Sequence, residues 1–154
     1  MADYADTMTV TVRPIEARDE SVWRDLFLAY GVFYETEFTE PQISIVWRWL
    51  MDADHPTKAW VAEVAGSVVG FGHMRTHWDT FTGGPAWFLD DLFTVSAARG
   101  LGVGTAIITA LRAHADAHGG GKISWITAEN NVTAQSVYDK LVKRQTWVTY
   151  EMGN

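Results

Sequence analysis

The stretch LDDLFTVSAARGLGVGTAIITALRAHADAHGGG, residues 89–121, decides how the chain is read. It opens on two carboxylates, Asp90 and Asp91, inside an apolar run that has the character of a strand. Three glycines follow at alternate positions, Gly100, Gly102 and Gly104, and lead straight into an alanine-rich segment. There Ile107, Ile108, Leu111 and Ala115 share one face, which predicts a helix over about residues 104–118, ended by three glycines at 119–121. Glycine is costly to order, so a cluster at a helix start implies a use for the bared backbone. A helix N-terminus carries orphan N–H groups and a positive dipole end, and glycines before it let an anion approach closely.

Several readings of that loop compete. A Walker A loop needs Lys-Ser/Thr after its last glycine, and Thr105-Ala106 stands there instead. A dinucleotide fingerprint counted from Gly100 would need glycine at position 105, which is Thr105. The pattern R-x-x-G-x-G, formed by Arg99, Gly102 and Gly104, would wrap residues 100–105 around a pyrophosphate. The remaining reading is a glycine-rich turn with no ligand.

Working outward, residues 9–13 alternate β-branched side chains up to Pro14 and predict a first strand. Asp19 or Ser21 can cap a helix over residues 21–35, with Val22, Leu26, Ala29 and Phe33 on its apolar face. Thr39 is the expected cap of a second helix, with Pro41 in its first turn and Ile43, Val46, Trp47 and Leu50 facing inward. KAWVAEVAGSVVGFGHMRTHW predicts two strands joined by a tight turn at Ala65, Gly66 and Ser67. Residues 79–86 read as a loop, and AWFLDDLFTV as the next strand. After the glycine-led helix come a strand in KISWITAE, a helix in NNVTAQSVYDKLVKR and a last strand in TWVTYEM. The expected order is β-α-α-β-β-β-α-β-α-β, an α/β (α+β) chain whose mixed sheet is covered by helices on both faces.

Length and composition set bounds. The 154 residues suit one domain, residues 1–154. The formal charge of −7 gives no basic footprint for nucleic acid and favours a cationic partner. No apolar run approaches the roughly 20 residues that cross a bilayer, and the start of the chain reads as no secretory leader. There is no cysteine, which removes a thiol nucleophile and thiolate metal sites and fits a cytoplasmic location. His114 and His118 lie at i, i+4 near a helix end, and His73 and His77 on or after a strand; none has a convincing third ligand, so no metal is expected.

Four stretches together resemble the GNAT superfamily of N-acetyltransferases: VRPIEARD, VAEVAGSVVGFGHM, DLFTVSAARGLGVGTAII and NNVTAQSVYDKL. The nearest look is that of histone/polyamine-type acetyltransferases and their bacterial relatives. The resemblance implies a mostly antiparallel GNAT-like sheet and acetyl-CoA as co-substrate. It implies coenzyme contacts from Leu92, Phe93 and Thr94 on a diverging strand. Arg99, Gly100, Leu101, Gly102, Val103, Gly104 and Thr105 would serve the diphosphate loop, and Asn131 and Tyr138 would lie beside the pantetheine. Tyr138 matches the family's acid, which protonates the leaving thiolate; Asn131 can also cap its helix. Successive strand residues face opposite ways, so Asp90 and Asp91 are expected on opposite faces. Spermidine/spermine acetyltransferases carry an acidic pair at this place, which implies Asp90 as base and Asp91 as a substrate-charge contact; a solvated acid pair is the alternative. Phe88 stands at the base position of the histone-type enzymes and carries no proton acceptor. Glu35, Glu37 and Glu40, beside Tyr34 and Phe38, would form an acceptor wall suited to a cationic amine, with a plain solvated loop as the alternative.

The implied activity is direct acetyl transfer to a primary amine: a polyamine, a small amine or amino acid, or a peptide lysine or N-terminus. An aminoglycoside-type acetyltransferase and a non-catalytic acyl-CoA sensor are the alternatives. Similar proteins are often homodimers.

Overall fold

The first strand forms because Val10, Val12 and their neighbours alternate beside a ready partner, and every later strand adds to the same sheet. The computed structural model describes residues 8–154. The seven residues before these, on which the leader reading rests, lie outside the described residues. Strands β1 (Val10–Pro14), β2 (Thr57–Val64), β3 (Ser67–Asp79) and β4 (Gly84–Thr94) run antiparallel in chain order, and β5 (Ile123–Ser124) adds parallel to β4. The β2–β3 turn is the two-residue Ala65-Gly66 link, both residues at positive φ. The expected loop after Asp79 is a shorter turn, because Gly84 and Pro85 already pair with Asp79 and Trp78.

Helices cover both faces. Helix α1 (Glu20–Phe33) and helix α2 (Glu40–Met51) bury Trp23, Leu26, Phe27, Ile43, Trp47 and Leu50 against Val61, Phe71 and Phe93. Helix α3 (Val103–Ala117) buries Val103, Ile107, Leu111 and Ala115 against Trp60, Met74, Trp87 and Leu89 on the other face. Helix α4 (Val132–Leu141) closes the far side of the cleft beside β4. Thr39 caps α2 through a reciprocal capping box with Gln42.

Four expectations are corrected. The Asp19 carboxylate caps nothing in α1: Arg13 donates to it at 2.7 and 2.9 Å and the Glu16 amide at 2.8 Å, which uses up its oxygens. Phe33 is half exposed, because the inward face of α1 runs through Trp23 and Phe27. The strand expected in KISWITAE is two residues long, pairing only where Trp87 and Phe88 meet Ile123 and Ser124. TWVTYEM forms no strand: the diverging segment after β5 offers no edge, and Trp147, Val148, Tyr150 and Met152 are exposed.

Candidate active site

The short β4–β5 pairing has a consequence at the other end of β4. From Leu89 onward the edge of β4 that faces β5 has no strand beside it. A cleft of about 490 Å³ opens there. Leu92, Phe93 and Thr94 form one wall, Arg99 to Thr105 the floor, and Asn131, Ala134 and Tyr138 of the α4 region the opposite wall. The first helical bond of α3 in the loop region is Ala106 N–H to the Gly102 carbonyl, 3.0 Å. The amides of Val103, Gly104 and Thr105 precede it, so they are the helix's unpaired donors. Gly102 sits at φ +79° with open space where a side chain would be, so this turn presents bare backbone. Arg99 is held by a bond from Nε to the Thr94 carbonyl (3.4 Å) and by the Phe33 ring, 5.5 Å from its guanidinium. Tyr138 packs edge-on against Trp125 at 5.5 Å; burial, helped by Tyr34, pushes its hydroxyl above the usual tyrosine range.

A second cavity, about 350 Å³, lies beside Asp91, the residue before Leu92. Both carboxylates line it, together with Phe27, Trp49, His73 and Arg75. This corrects the expectation of opposite faces. His73 pairs with Asp91 and Met74 with Leu89, so Asp90 is one residue too many for the ladder and bulges. A bulge resets the alternation, and the two neighbours turn to the same side. Arg75 Nε meets the Asp90 oxygens at 3.0 and 3.2 Å. Burial outweighs that pairing and pushes the Asp90 carboxyl up. Burial also pushes Asp91 up, but a 2.9 Å bond from His73 Nδ1 and the Tyr30 hydroxyl outweigh it, leaving the carboxyl below its ordinary value.

The sequence model of the acetyltransferase (GNAT) family matches residues 20–142. The chain belongs to the GNAT family. It is an acetyl-CoA-dependent N-acetyltransferase. Among curated GNAT proteins it is 28% identical over 146 residues to the D-amino-acid N-acetyltransferase HPA3 of Saccharomyces cerevisiae, covering 92% of this chain and 89% of the relative. It is 24% identical over 131 residues to YhfO, an uncharacterized N-acetyltransferase of Bacillus subtilis, covering 85% and 87%. The fold matches a ribosomal-protein-alanine N-acetyltransferase of Brucella melitensis (TM-score 0.80, 20% identity, 95% and 99% covered). It also matches the aminoglycoside acetyltransferase AAC(6')-Iy with a bisubstrate analog (TM-score 0.82, 19% identity, 95% and 98% covered).

Within this GNAT cleft the structure gathers Leu92, Phe93, Thr94, Arg99, Gly100, Gly102, Val103, Gly104, Thr105, Asn131 and Tyr138 into one cavity wall. Leu101 does not line it and is exposed. Asn131 caps α4, its Oδ1 accepting from the Ala134 amide at 3.2 Å, and lines the cleft as well. Tyr34 lines the cleft beside β4, whereas Glu35 lines neither cavity. Of the remaining wall expected around it, Glu40 pairs with Arg24 at 3.3 Å and Phe38 stacks on Phe27 at 4.5 Å. Sequence reasoning missed Phe33 and Arg75 as lining residues and the place of His73 beside Asp91. Phe33 has no local signal beyond its place at the end of α1; Arg75 and His73 could be placed only from the β3–β4 register. Among the described residues, no three His, Cys, Asp or Glu side chains gather as a metal site.

Proposed function

We propose that this GNAT protein moves the acetyl group of acetyl-CoA directly to a primary amine that arrives as a cation, with a small amine or free amino acid as the preferred acceptor. The observation that carries this is that Asp91 lines the acidic pocket while the next residue, Leu92, lines the cleft at the free edge of β4. The coenzyme supplies a thioester carbonyl. The unpaired amides of residues 103–105, with Gly100 and Gly102 bare beside them, are suited to a diphosphate. Arg99 adds a positive charge to that floor, and the Leu92–Thr94 edge offers backbone groups to an extended pantetheine arm and to the developing oxyanion.

The amine is mostly an ammonium at neutral pH. Asp90, with its carboxyl raised by burial, is the base that takes one proton from it. The new C–N bond forms as the C–S bond breaks. Tyr138, protonated at neutral pH, gives its proton to the departing sulfur. The phenolate recovers a proton from the nitrogen, and Asp90 returns the first one to solvent. Asp91 and Tyr34 contribute to acceptor binding. Two features support an amino acid within the amine class. HPA3 is a D-amino-acid N-acetyltransferase. Arg75 lines the same pocket as Asp91, so a carboxylate and an ammonium would both find a partner.

The chain acts as a homodimer on this reading, supported by the exposed alternating apolar tail at Trp147, Val148, Tyr150 and Met152. Sedimentation equilibrium giving only a 17.2 kDa species would remove the dimer. The acceptor is tested by following free thiol from acetyl-CoA with spermidine, kanamycin, L- and D-phenylalanine and a lysine peptide. Amine-dependent release is expected, strongest with an amino acid or small amine. No release with any of them would overturn the transferase reading of this site.

A further inference from the structure

His73 is 2% exposed, on a strand whose other buried side chains are apolar. Its two ring nitrogens both have partners. The indole Nε1 of the buried Trp23 lies 3.0 Å from Nε2, and an Asp91 oxygen lies 2.9 Å from Nδ1. An indole nitrogen only donates, so Nε2 must accept, and the ring proton sits on Nδ1 and points at Asp91. The ring is also clamped between Phe27 (5.4 Å, edge-on) and Phe71 (4.7 Å). His73 and Asp91 are direct cross-strand partners immediately before the Asp90 bulge. Nothing in this chain of bonds is free to turn: Trp23 fixes the tautomer, the aromatic rings fix the plane, and the plane fixes one oxygen of Asp91. Asp90 has no such support and is held only by Arg75, half exposed on the same strand as His73.

We propose that His73 is a positioning residue for acceptor recognition: oriented by Trp23, it holds the Asp91 carboxylate in place as the anion that receives the acceptor's ammonium. The assignment rests on the transferase reading above and divides the labour of the acidic pair. Asp91 binds and stays put, and Asp90 moves the proton. A fixed anion one residue before Leu92 places the amine next to the β4 edge before any proton has left it. A purely structural histidine would instead affect the fold and both substrates alike.

The experiment compares His73→Asn with His73→Gln. The Asn amide reaches the position of Nδ1 and can still donate to Asp91; the Gln amide reaches the position of Nε2 and cannot. Both are polar and leave the core similarly disturbed, so the pair remains informative even if His73→Leu fails to fold. Steady-state kinetics use whichever amine of the panel turns over fastest, with melting temperatures in parallel. His73→Gln is expected to raise the acceptor KM about tenfold, the loss of one charge-assisted bond, with the acetyl-CoA KM within about twofold. His73→Asn is expected to recover to within about threefold of wild type. Trp23→Phe, which frees the tautomer, is expected to fall between them. Equal acceptor KM values for the Asn and Gln variants, or parallel changes in both substrates' KM, would overturn the positioning role while leaving the transferase reading intact. No thiol release by wild type would overturn both.

Discussion

Arg75 and Asp90 face each other side-on across the β-bulge, the guanidinium Nε at 3.0 and 3.2 Å from the two carboxylate oxygens. With Asp90 as the proposed base, the pairing sets its working state. Burial pushes the Asp90 carboxyl up and Arg75 pulls it back. A base must be unprotonated to act, so removing Arg75 raises the pH at which activity appears. For Arg75→Met the acid limb of the kcat/KM profile is expected to move to higher pH. Asp90→Asn is expected to lower kcat about 100-fold or more at every pH. An Arg75→Met profile superimposed on wild type would remove Asp90 from the proton path.

Tyr138 tests the other proton. Tyr138 lines the cleft beside β4, and its hydroxyl, already protonated at neutral pH, is pushed higher still by burial. Tyr138→Phe keeps the ring against Trp125 and deletes only the hydroxyl, the proposed acid. The expected outcome is a fall in kcat of about 100-fold with coenzyme A affinity within about threefold, read by stopped assays and calorimetry. A chain that binds coenzyme A and shows no turnover even as wild type would be a sensor.

The glycine-loop cleft was legible in the sequence because its causes are local. A glycine at φ +79°, a run of unpaired amides and an Asn cap are each set by a few adjacent residues. The cavity beside Asp90 and Asp91 was not. Asp90 and Asp91 share a face because one extra residue in β4 faces β3, a fact of register between strands. His73 meets Trp23 across 50 residues of chain, and no pattern within either segment announces it. The last expected strand failed for the same reason: alternation in TWVTYEM states a preference, and an edge to pair with must come from elsewhere.

Two glycines with the same backbone hand separate strain from collision. Gly102 at φ +79° has open space around a would-be Cβ, whereas at Gly121, φ +95°, that atom would strike the Pro85 carbonyl oxygen. Gly102→Ala is expected to cost about 1 kcal/mol of stability, the ordinary strain of a left-handed alanine, and to weaken coenzyme A binding by disturbing the loop. Gly121→Ala is expected to cost at least twice as much, because β4 must shift to admit it. Urea unfolding of the two variants gives the comparison. Equal losses would mean that the approach of residue 121 to Pro85 is not fixed in solution.

The buried Asp19 gives the fold an acid-sensitive joint. Its side chain is 5% exposed and receives two bonds from Arg13, which also meets Glu63 at 2.8 Å. The Arg13 bonds outweigh burial and hold the Asp19 carboxyl below the usual aspartate range, with help from the Glu16 amide. A depressed carboxyl contributes stability above the unfolded value, about 3.9, and loses it as pH falls through the folded value. Wild type is therefore expected to lose stability progressively below about pH 4. Arg13→Ala strands a buried carboxylate and is expected to cost about 3 kcal/mol at pH 7. In the same variant Asp19 loses the Arg13 bonds that chiefly depress its carboxyl, so its share of the acid sensitivity shrinks and stability should fall less steeply on acidification than that of wild type. Urea unfolding of both proteins from pH 7 to pH 3 checks the two slopes, and parallel slopes would place the acid sensitivity in other carboxylates.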